Sequence, residues 1–351
     1  MRMGGYVART VGGALLLVML VILGLDVIAA VVDQLDDLQG GYTFVHALTY
    51  VGLSVPARLY EYLPFVALVG CLAGLGALAG SSELVAMRAA GMSVLRLSAH
   101  AIHPALWLTL LGLVVAEFVA PHTQQLADSY RAQALREVAS RVETGLWHRE
   151  GQHFIHFDAV QPDGELYGIT VYRFDERRRL ESSLVAARAS WQEDRWELRD
   201  GREARFGDEE VRVERFDRQP WEVALTPELL RLVLLDPTDL PISGLHRYAG
   251  YLAAQGLDDS EYRLVLWTRL LQPLAIMGLV LLAVSFVFGP LREATMGYRV
   301  FVGVLVGVVF NTSQDMLGPA SLVFGFPPLL AALLPALVSG GAGLVLLRRA
   351  V

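Results

Sequence analysis

The sequence predicts an α-helical membrane protein with six transmembrane helices and an all-β domain inserted between helices 3 and 4. Two observations support this fold class. The 351 residues are 54% hydrophobic, with a mean hydropathy of +0.44, which is more apolar surface than the core of a soluble domain requires. Six apolar runs, most of them near the roughly 20 residues that a helix needs to cross a bilayer, alternate with polar segments. One of these polar segments is long enough to fold as a domain.

The apolar runs lie at residues 11–32, 60–79, 102–119, 270–288, 300–312 and 329–347. The first run resembles a signal peptide in position, but it is long and contains Asp26, so we expect it to be retained as an anchor. The fifth run is short and spans only if residues 296–314 are helical. The expected domains are 1–123 with helices 1–3, 124–261 with the inserted domain and its flanking helices, and 262–351 with helices 4–6.

Arginines near the helix ends predict the orientation in the membrane. Eight of them flank ends that would share one side, which the positive-inside rule assigns to the cytoplasm: Arg2, Arg9, Arg88, Arg96, Arg292, Arg299, Arg348 and Arg349. Both termini are then cytoplasmic, and the inserted domain lies outside the cytoplasm. Arg58 goes against this pattern.

The insert shows short segments rich in β-branched and aromatic residues, separated by turn sequences. These segments are "HFIHFDAV", "LYGITVYRFD", "LVAARASWQE", "RWELRDG" and "EVRVERF". They predict a mostly antiparallel sheet with one face of each strand buried. The preceding "TQQLADSYRAQALREVASR" and the following "GLHRYAGYLAAQG" are expected to be helices that leave and re-enter the membrane region.

Composition excludes several function classes. A net charge of −7 argues against a nucleic-acid surface, because such binding needs clustered basic residues. All 29 basic residues are Arg, so the GxxxxGK[ST] phosphate loop is absent and any nucleotide hydrolysis must come from a partner. The single cysteine, Cys71, precludes an internal disulfide. His148, His153 and His156 could suggest a metal site, but His153 and His156 would point to opposite faces of a strand, so we expect none. No Ser–His–Asp order, paired-carboxylate cleft or glycine-rich phosphate loop indicates a catalytic centre in the insert.

The segment 81–97, "SSELVAMRAAGMSVLRL", predicts a short helix in the first cytoplasmic loop. Ser81 or Ser82 is expected to cap its start, and Gly91 to end it. Glu83 in the first turn and Arg88 in the last turn suit the helix dipole.

Two interpretations of this loop remain open. Leu84, Met87 and Gly91 fall at helical spacing without evident cover from this chain, so they can fill a groove on a cytoplasmic partner. Alternatively, the loop only returns the chain to the membrane, with Glu83 and Arg88 solvated.

Several motifs resemble one known family over nearly the whole chain. They are "SSELVAMRAAGMSVLRLS", "AEFVAPHTQQLADSYRAQAL", "ISGLHRYAGYL", "FVFGPLREATMGYRV" and "FGFPPLLAALLPAL". They occur in order at matching junctions and are similar to those of the LptF/LptG permeases of lipopolysaccharide export, with the LptG branch most alike. The resemblance implies an ABC-exporter permease that extracts lipopolysaccharide from the outer leaflet of the bacterial inner membrane and passes it to a periplasmic bridge.

The resemblance also implies partners and site roles. The partners would be an LptF-like sibling permease, two LptB-like ATPase subunits that use ATP and Mg, and LptC-like and LptA-like bridge proteins, while this chain would bind no cofactor. The insert would be a periplasmic β-jellyroll. The segment of about 81–96 would be the coupling helix, and Glu83 matches the acidic residue of that helix that contacts the ATPase. The other residues assigned to ATPase coupling are Leu84, Met87, Arg88 and Gly91.

One departure concerns charge near the end of the first span. Ala30 and the pair Asp36–Asp37 stand where the family often carries basic side chains that meet lipid phosphates. The sibling subunit, bridging divalent ions or arginines elsewhere in this chain would have to compensate. The candidates for the lipid path are Asp26, Arg58, Phe65, Arg131, Arg136, Phe301 and Phe310.

Further intramembrane residues have more than one interpretation. Asp26 inside a span is costly, so it either has a local partner or faces a wet, functional cavity. Glu117 and Arg131 bracket the outer end of the third span, and a structural ion pair is the simpler account. The pairs Gly70–Gly74 and Gly303–Gly307 permit close helix contact, for which ordinary packing is the simpler account; alternatively, Gly303–Gly307 helps the fifth span to pack beside the first span of the sibling.

Two other functions compete with export. A membrane-anchored envelope sensor would bind a ligand with its periplasmic β domain, although no cytoplasmic loop is long enough for an output domain. A membrane enzyme acting on lipids would use Asp26 and Glu117 as catalytic acids.

Overall fold

The computed structural model describes most of the chain. The described residues are 2–36, 38, 42–136, 146–160, 165–175, 177, 179–192, 195–207, 210–221, 223, 225–227, 229–230, 236–291 and 294–350. The chain divides into two compact units, one of residues 1–138, 237–249 and 259–351, and the other of residues 139–236 and 250–258. We call them the membrane unit and the β unit.

The helices follow the apolar runs of the sequence. They are α1 (Arg2–Asp33), α2 (Phe44–Glu61), α3 (Leu63–Gly80), α4 (Glu83–Ala89), α5 (Val94–Val114), α6 (Ala120–Arg136), α7 (Ile242–Ala254), α8 (Ser260–Phe288), α9 (Met296–Phe324) and α10 (Pro328–Ala350). A π-helical segment, Val115–Val119, joins α5 to α6, and a 3₁₀ turn, Pro237–Asp239, precedes α7. Among the described residues, six helical stretches are long and apolar enough to cross a membrane, which confirms the six predicted spans.

The fifth span is longer than its apolar core suggests. Helix α9 runs for 29 residues, because the polar segment after residue 312 continues the helix to Phe324. Gly325, with φ of 70°, ends it in the left-handed conformation that glycine adopts without strain. Helix α2 is not among the expected elements, because most of it precedes the second apolar run, which begins at residue 60. This helix breaks at Tyr62 before α3 begins, with Pro64 in the first turn of α3.

Helix α3 lies at the centre of the membrane unit. Leu68, Leu72 and Leu75 are 0% exposed, and α3 packs against α1, α8 and α9. A Cβ added to Gly74 would lie 2.8 Å from the Cα of Val11, so this glycine permits close approach of α1. Cys71 is buried in the same core, in agreement with a packing role.

The pair Gly303–Gly307 faces the chain's own α3. A Cβ on Gly303 would lie 2.5 Å from Leu72 Cδ1, and one on Gly307 would lie 2.6 Å from Phe65 Cδ2. These contacts agree with ordinary packing within this chain, which is the simpler of the two interpretations of the pair. Both glycines are buried within this chain because the central helix already fills the space in front of them.

The β unit contains one antiparallel sheet. Its strands are β1 (Leu146–Glu150), β2 (His153–Phe157), β3 (Ala159–Val160), β4 (Leu166–Phe174), β5 (Leu180–Gln192), β6 (Arg195–Phe206) and β7 (Val211–Trp221). The order is β1-β2-β4-β5-β6-β7, with β3 beside β4. The five predicted strand segments are confirmed. The fully buried Trp196 anchors the core and donates from Nε1 to the carbonyl oxygen of Leu225 at 2.7 Å.

Two residues within the strands of the sheet have an unusual backbone conformation. Gly168 in β4 and Asp200 in β6 have positive φ, of 61° and 53°. On either side of Gly168 the buried set shifts by one position, from Leu166 to Ile169 and Val171. A Cβ at Gly168 would lie 1.8 Å from Asp158 Oδ2, so this position requires glycine for space as well as for backbone conformation.

Candidate functional site

Helix α4 places Glu83 at the start of the predicted coupling helix. The Ser81 hydroxyl donates to Glu83 Oε1 at 2.9 Å, and the Tyr6 hydroxyl of α1 also hydrogen-bonds to this carboxylate. Neither serine caps α4 as predicted. Ser82 lies in the left-handed conformation, with φ of 62°, and makes no side-chain cap. Two hydroxyl groups of this chain therefore hold the Glu83 carboxylate at the start of α4.

The end of α4 follows the prediction at Gly91. This residue has φ of 87°, and its N–H donates to the carbonyl oxygen of Arg88 at 3.0 Å. The N–H of Met92 donates to the carbonyl oxygen of Met87 at 3.1 Å, which completes a Schellman motif. The left-handed residue that this motif requires explains why glycine ends the helix.

Leu84 and Met87 have cover from this chain, contrary to the expectation that they lie open to a partner. They are 3% and 8% exposed and belong to the core of the membrane unit. The apolar side chains that face outward near α4 are instead Val85, 61% exposed, and Leu95, 69% exposed. The sequence spacing correctly placed Leu84 and Met87 on one face of α4, but it could not show that this face packs against the core of the same chain.

Asp26 and Arg58 form an ion pair inside the membrane unit. Arg58 Nη1 donates to Asp26 Oδ2 at 2.8 Å, and the Tyr62 hydroxyl donates to Asp26 Oδ1 at 2.7 Å. The side chains are 14% exposed for Asp26 and 27% for Arg58. A carboxylate within a span usually has such a partner. The pair also gives Arg58, the exception to the arginine pattern of the sequence, a partner within this chain.

A cavity of about 780 Å³ adjoins this pair. Arg58, Glu61, Tyr62, Asn311 and Asp315 contribute polar groups to its wall. The Arg58 Nε is buried without a hydrogen-bond partner. Polar residues of α2 and α9, which are distant in sequence, therefore line the same cavity in the membrane unit.

The other lipid-path candidates are not gathered around this cavity. Phe65 packs on Gly307, Phe310 is 8% exposed, and Phe301 is 62% exposed on the outward side of α9. The Arg131 guanidinium carbon lies 5.2 Å from the centre of the Tyr50 ring. The side chain of Arg136 lies outside the described residues, and so does Asp37; Ala30 is buried and Asp36 is exposed.

Glu117 contacts backbone amides rather than forming the expected pair with Arg131. It lies in the π-helical segment, and its Oε2 accepts from the N–H of Ile242 at 2.7 Å while Oε1 accepts from the N–H of Ser243 at 3.4 Å. These are the first residues of α7, whose free N–H groups favour an anion. The carboxylate therefore has a structural use, which weakens its assignment as a catalytic acid.

Arg269 of α8 binds the same peptide segment from its other side. Its guanidinium donates to the carbonyl oxygens of Thr238 and Leu240. The Tyr60 hydroxyl donates to the carbonyl oxygen of Arg269 at 3.2 Å, and Gln272 Nε2 donates to the carbonyl oxygen of Tyr60 at 2.9 Å. The spacing of the sequence gave no signal for this cluster, since its members are far apart in the chain.

The histidines of the β unit have separate neighbours. His148 is buried, with Nε2 3.2 Å from the Tyr251 hydroxyl, and burial lowers its pKa. Arg173 Nε donates to His153 Nε2 at 2.8 Å, and burial together with this guanidinium lowers the pKa of His153. Within the described residues, no group of three metal-ligating side chains comes together.

Comparisons with known proteins point to one family. The family model described as "Lipopolysaccharide export system permease LptF/LptG" matches residues 5–349. The chain is 38% identical to lipopolysaccharide export system permease protein LptG of Escherichia coli (strain K12). The alignment extends over 335 residues and covers 94% of this chain and 93% of that protein. The chain is 34% identical over 338 residues to the LptG protein of Haemophilus influenzae (strain ATCC 51907 / DSM 11121 / KW20 / Rd), which covers 95% and 94%.

The match covers almost all of the architecture described above. The six candidate membrane spans found among the described residues, the antiparallel sheet and helix α4 all fall within residues 5–349, apart from the first residues of α1 and the last residue of α10. This agreement over the full architecture shows that the chain belongs to the LptF/LptG family of lipopolysaccharide export system permeases.

Proposed function

We propose that this chain is one of two permease subunits that extract lipopolysaccharide from the outer leaflet of the inner membrane and pass it to a periplasmic bridge. The observation that carries this proposal is the family match across residues 5–349, which includes both the spans and the inserted domain. The chain is a multi-pass membrane protein and acts as a transporter subunit rather than as an enzyme. A sibling of the LptF type completes the transmembrane pair.

A separate ATPase supplies the energy. Extraction has to overcome roughly 0.8 kcal/mol for each CH₂ that leaves the bilayer, so a lipid with several acyl chains needs an external driving force. Two LptB-like subunits bind ATP and Mg, since this chain has no lysine for a phosphate loop. The cytoplasmic face that carries α4 receives the ATPase, and both termini lie on that same side.

The surface around α4 supports this role. Glu83, Val85, Arg88 and Leu95 place a carboxylate, a guanidinium and two exposed apolar side chains close together on one short stretch of chain. An apolar patch between opposite charges suits a partner groove, with the charges fixing orientation. An arginine of the ATPase is the expected counter-charge of Glu83.

The lipid occupies a space between this chain and its sibling. Exposed leucines along α1, such as Leu16, Leu17 and Leu20 at 64%, 66% and 72%, offer apolar surface for acyl chains or for the partner subunit. The β unit lies in the periplasm and hands the lipid to LptC-like and LptA-like proteins.

The test substitutes Glu83 in the assembled complex. Glu83→Ala should leave membrane insertion unchanged and reduce lipopolysaccharide release from proteoliposomes by about tenfold or more, because an unpaired charge at an interface typically costs roughly 2–5 kcal/mol. Glu83→Arg should be worse, and an acidic residue in place of the partner's arginine should partly restore release. Asp36→Ala, which removes an exposed carboxylate far from α4 in the sequence, serves as the control. Normal release and normal ATPase binding in both Glu83 variants would overturn the coupling role.

A further inference from the structure

Arg299 is a buried arginine at the start of α9. Its side chain is embedded in the membrane unit, and the residue is 4% exposed. Nη1 donates to the carbonyl oxygen of Gly76 at 2.9 Å, and Nε donates to the carbonyl oxygen of Leu291 at 3.1 Å. Burying a guanidinium is costly unless its donors are bonded, and its planar fork holds two acceptors in fixed geometry. Arg299 thus joins the last turns of α3 to the loop before α9.

Gly76 makes room for this contact. A Cβ on Gly76 would lie 3.0 Å from Met296 Sδ and 3.3 Å from Arg299 Cδ. Gly76 is also near the carboxyl end of α3, where the helix dipole favours a cation. The glycine and the arginine therefore form a matched pair, one on each helix.

The contact between α3 and α9 continues outward along the same seam. Gly303 and Gly307 follow Arg299 at intervals of four residues, and they face Leu72 and Phe65 of α3. Residues four apart lie on one face of a helix, so the arginine and both glycines belong to a single stripe. Close packing of this kind resists sliding, because each glycine receives a large side chain of the other helix.

Helix α3 leads directly into the coupling helix. Only Ser81 and Ser82 separate the end of α3 from Glu83, the first residue of α4. A displacement of α4 by the ATPase must therefore act on the carboxyl end of α3, which is the end to which Arg299 is hydrogen-bonded. Helix α9 presents an exposed apolar side at Phe301, Leu305 and Val309, which are 62%, 54% and 60% exposed.

We propose that Arg299 is a positioning residue that transmits displacement of α4 and α3 to α9, so that ATP hydrolysis moves the apolar face of α9 against the lipid. The inference rests on the proposed export function and deepens it, since it names the link between the coupling helix and a helix that faces the lipid. Arg299 acts through the backbone of Gly76 and does not touch the ATPase.

The experiment measures lipopolysaccharide released per ATP hydrolysed by the assembled complex in proteoliposomes. Arg299→Ala should retain ATP hydrolysis within about twofold of the wild type, while the released lipid per ATP falls about tenfold. Arg299→Lys keeps the charge and one donor and should recover part of this ratio. Arg348→Ala removes an exposed arginine from the last turn of α10 and should leave the ratio unchanged.

A second variant separates coupling from folding. Gly76→Ala leaves every charge in place but crowds Arg299, so it should lower the ratio of lipid to ATP in complex that assembles in normal amount. A merely structural role would reduce the yield of complex and leave this ratio intact. The inference is overturned if assembled Gly76→Ala and Arg299→Ala complexes both keep the wild-type ratio. Absence of lipid release by the wild-type complex would instead count against the proposed export function.

Discussion

Asp26 and Arg58 show how a charge is accommodated within a membrane helix. The sequence flagged each residue separately, Asp26 as a costly intramembrane carboxylate and Arg58 as an exception to the arginine pattern. In the structure the two side chains form an ion pair, with 2.8 Å between Arg58 Nη1 and Asp26 Oδ2, so each charge accounts for the presence of the other. Helical periodicity could not have paired them, because they lie 32 positions apart in the chain and on different helices, α1 and α2.

The ion pair makes a testable prediction about stability. Arg58→Met should destabilise the protein by about 2–3 kcal/mol, somewhat less than for a fully buried pair, because Asp26 then keeps only the Tyr62 hydroxyl. Asp26→Leu should have a similar cost. The double variant should be more stable than either single variant, since no lone charge remains. Thermal unfolding of the detergent-solubilised protein measures the three values, and simple additivity of the two losses would contradict a direct pair.

His148 makes a prediction about pH. Burial lowers its pKa below the ordinary value of 6.5, so the unfolded chain binds a proton more readily than the folded one. Stability is complete above pH 6.5 and is lost as the pH falls from there towards the folded pKa. His148→Gln should flatten this loss, as measured by thermal unfolding between pH 5 and pH 7.5. Tyr251→Phe should retain the pH dependence, because burial rather than this hydroxyl causes the shift.

At the scale of elements, helix ends are held by side chains from other helices. Glu117 accepts the first N–H groups of α7, and Arg269 holds the carbonyl groups just before them. The π-helical segment inserts an irregular turn at Glu117, a feature that is frequent at functional sites. The sequence placed Glu117 near the end of the third apolar run and suggested an ion pair with Arg131, whereas the carboxylate accepts from backbone N–H groups of α7.

Removal of this carboxylate should loosen the start of α7. Glu117→Ala leaves the N–H groups of Ile242 and Ser243 without their acceptor, which should cost about 1 kcal/mol or more. Hydrogen exchange at these two amides should become about five- to tenfold faster, while Glu117→Gln should preserve part of the protection through its remaining carbonyl oxygen. Glu261→Ala, in the first turn of α8, is the matched control. Unchanged exchange in the alanine variant would show that Glu117 does not hold this end.

At the scale of the whole molecule, the orientation in the membrane can be tested directly. Cys71 is 0% exposed, so single cysteines introduced elsewhere can be labelled against a silent background. In intact spheroplasts an impermeant maleimide should label Asp36→Cys and leave Ala89→Cys unlabelled, because the arginine pattern places the first residue outside and the second inside. Lysis should expose Ala89→Cys to the reagent. Labelling of Ala89→Cys in intact spheroplasts would contradict the predicted topology.

The sequence by itself determined the six spans, the β segments and the family. Hydrophobic runs of fixed length and strands with buried alternate residues are local patterns, since each is set by the solvent on either side of one element. The same holds for Gly91, whose role depends only on the backbone conformation at the end of α4. These features needed no knowledge of which elements touch.

Only the tertiary structure decided which surfaces face inward. Leu84 and Met87 lie on the expected stripe, but the core of the membrane unit covers them, and Gly303 and Gly307 face α3 instead of another subunit. The partners of Asp26, Glu117 and Arg299 likewise come from distant parts of the chain. The physical reason is that periodicity fixes which residues share a face of a helix, whereas the packing of several helices around α3 fixes what that face meets.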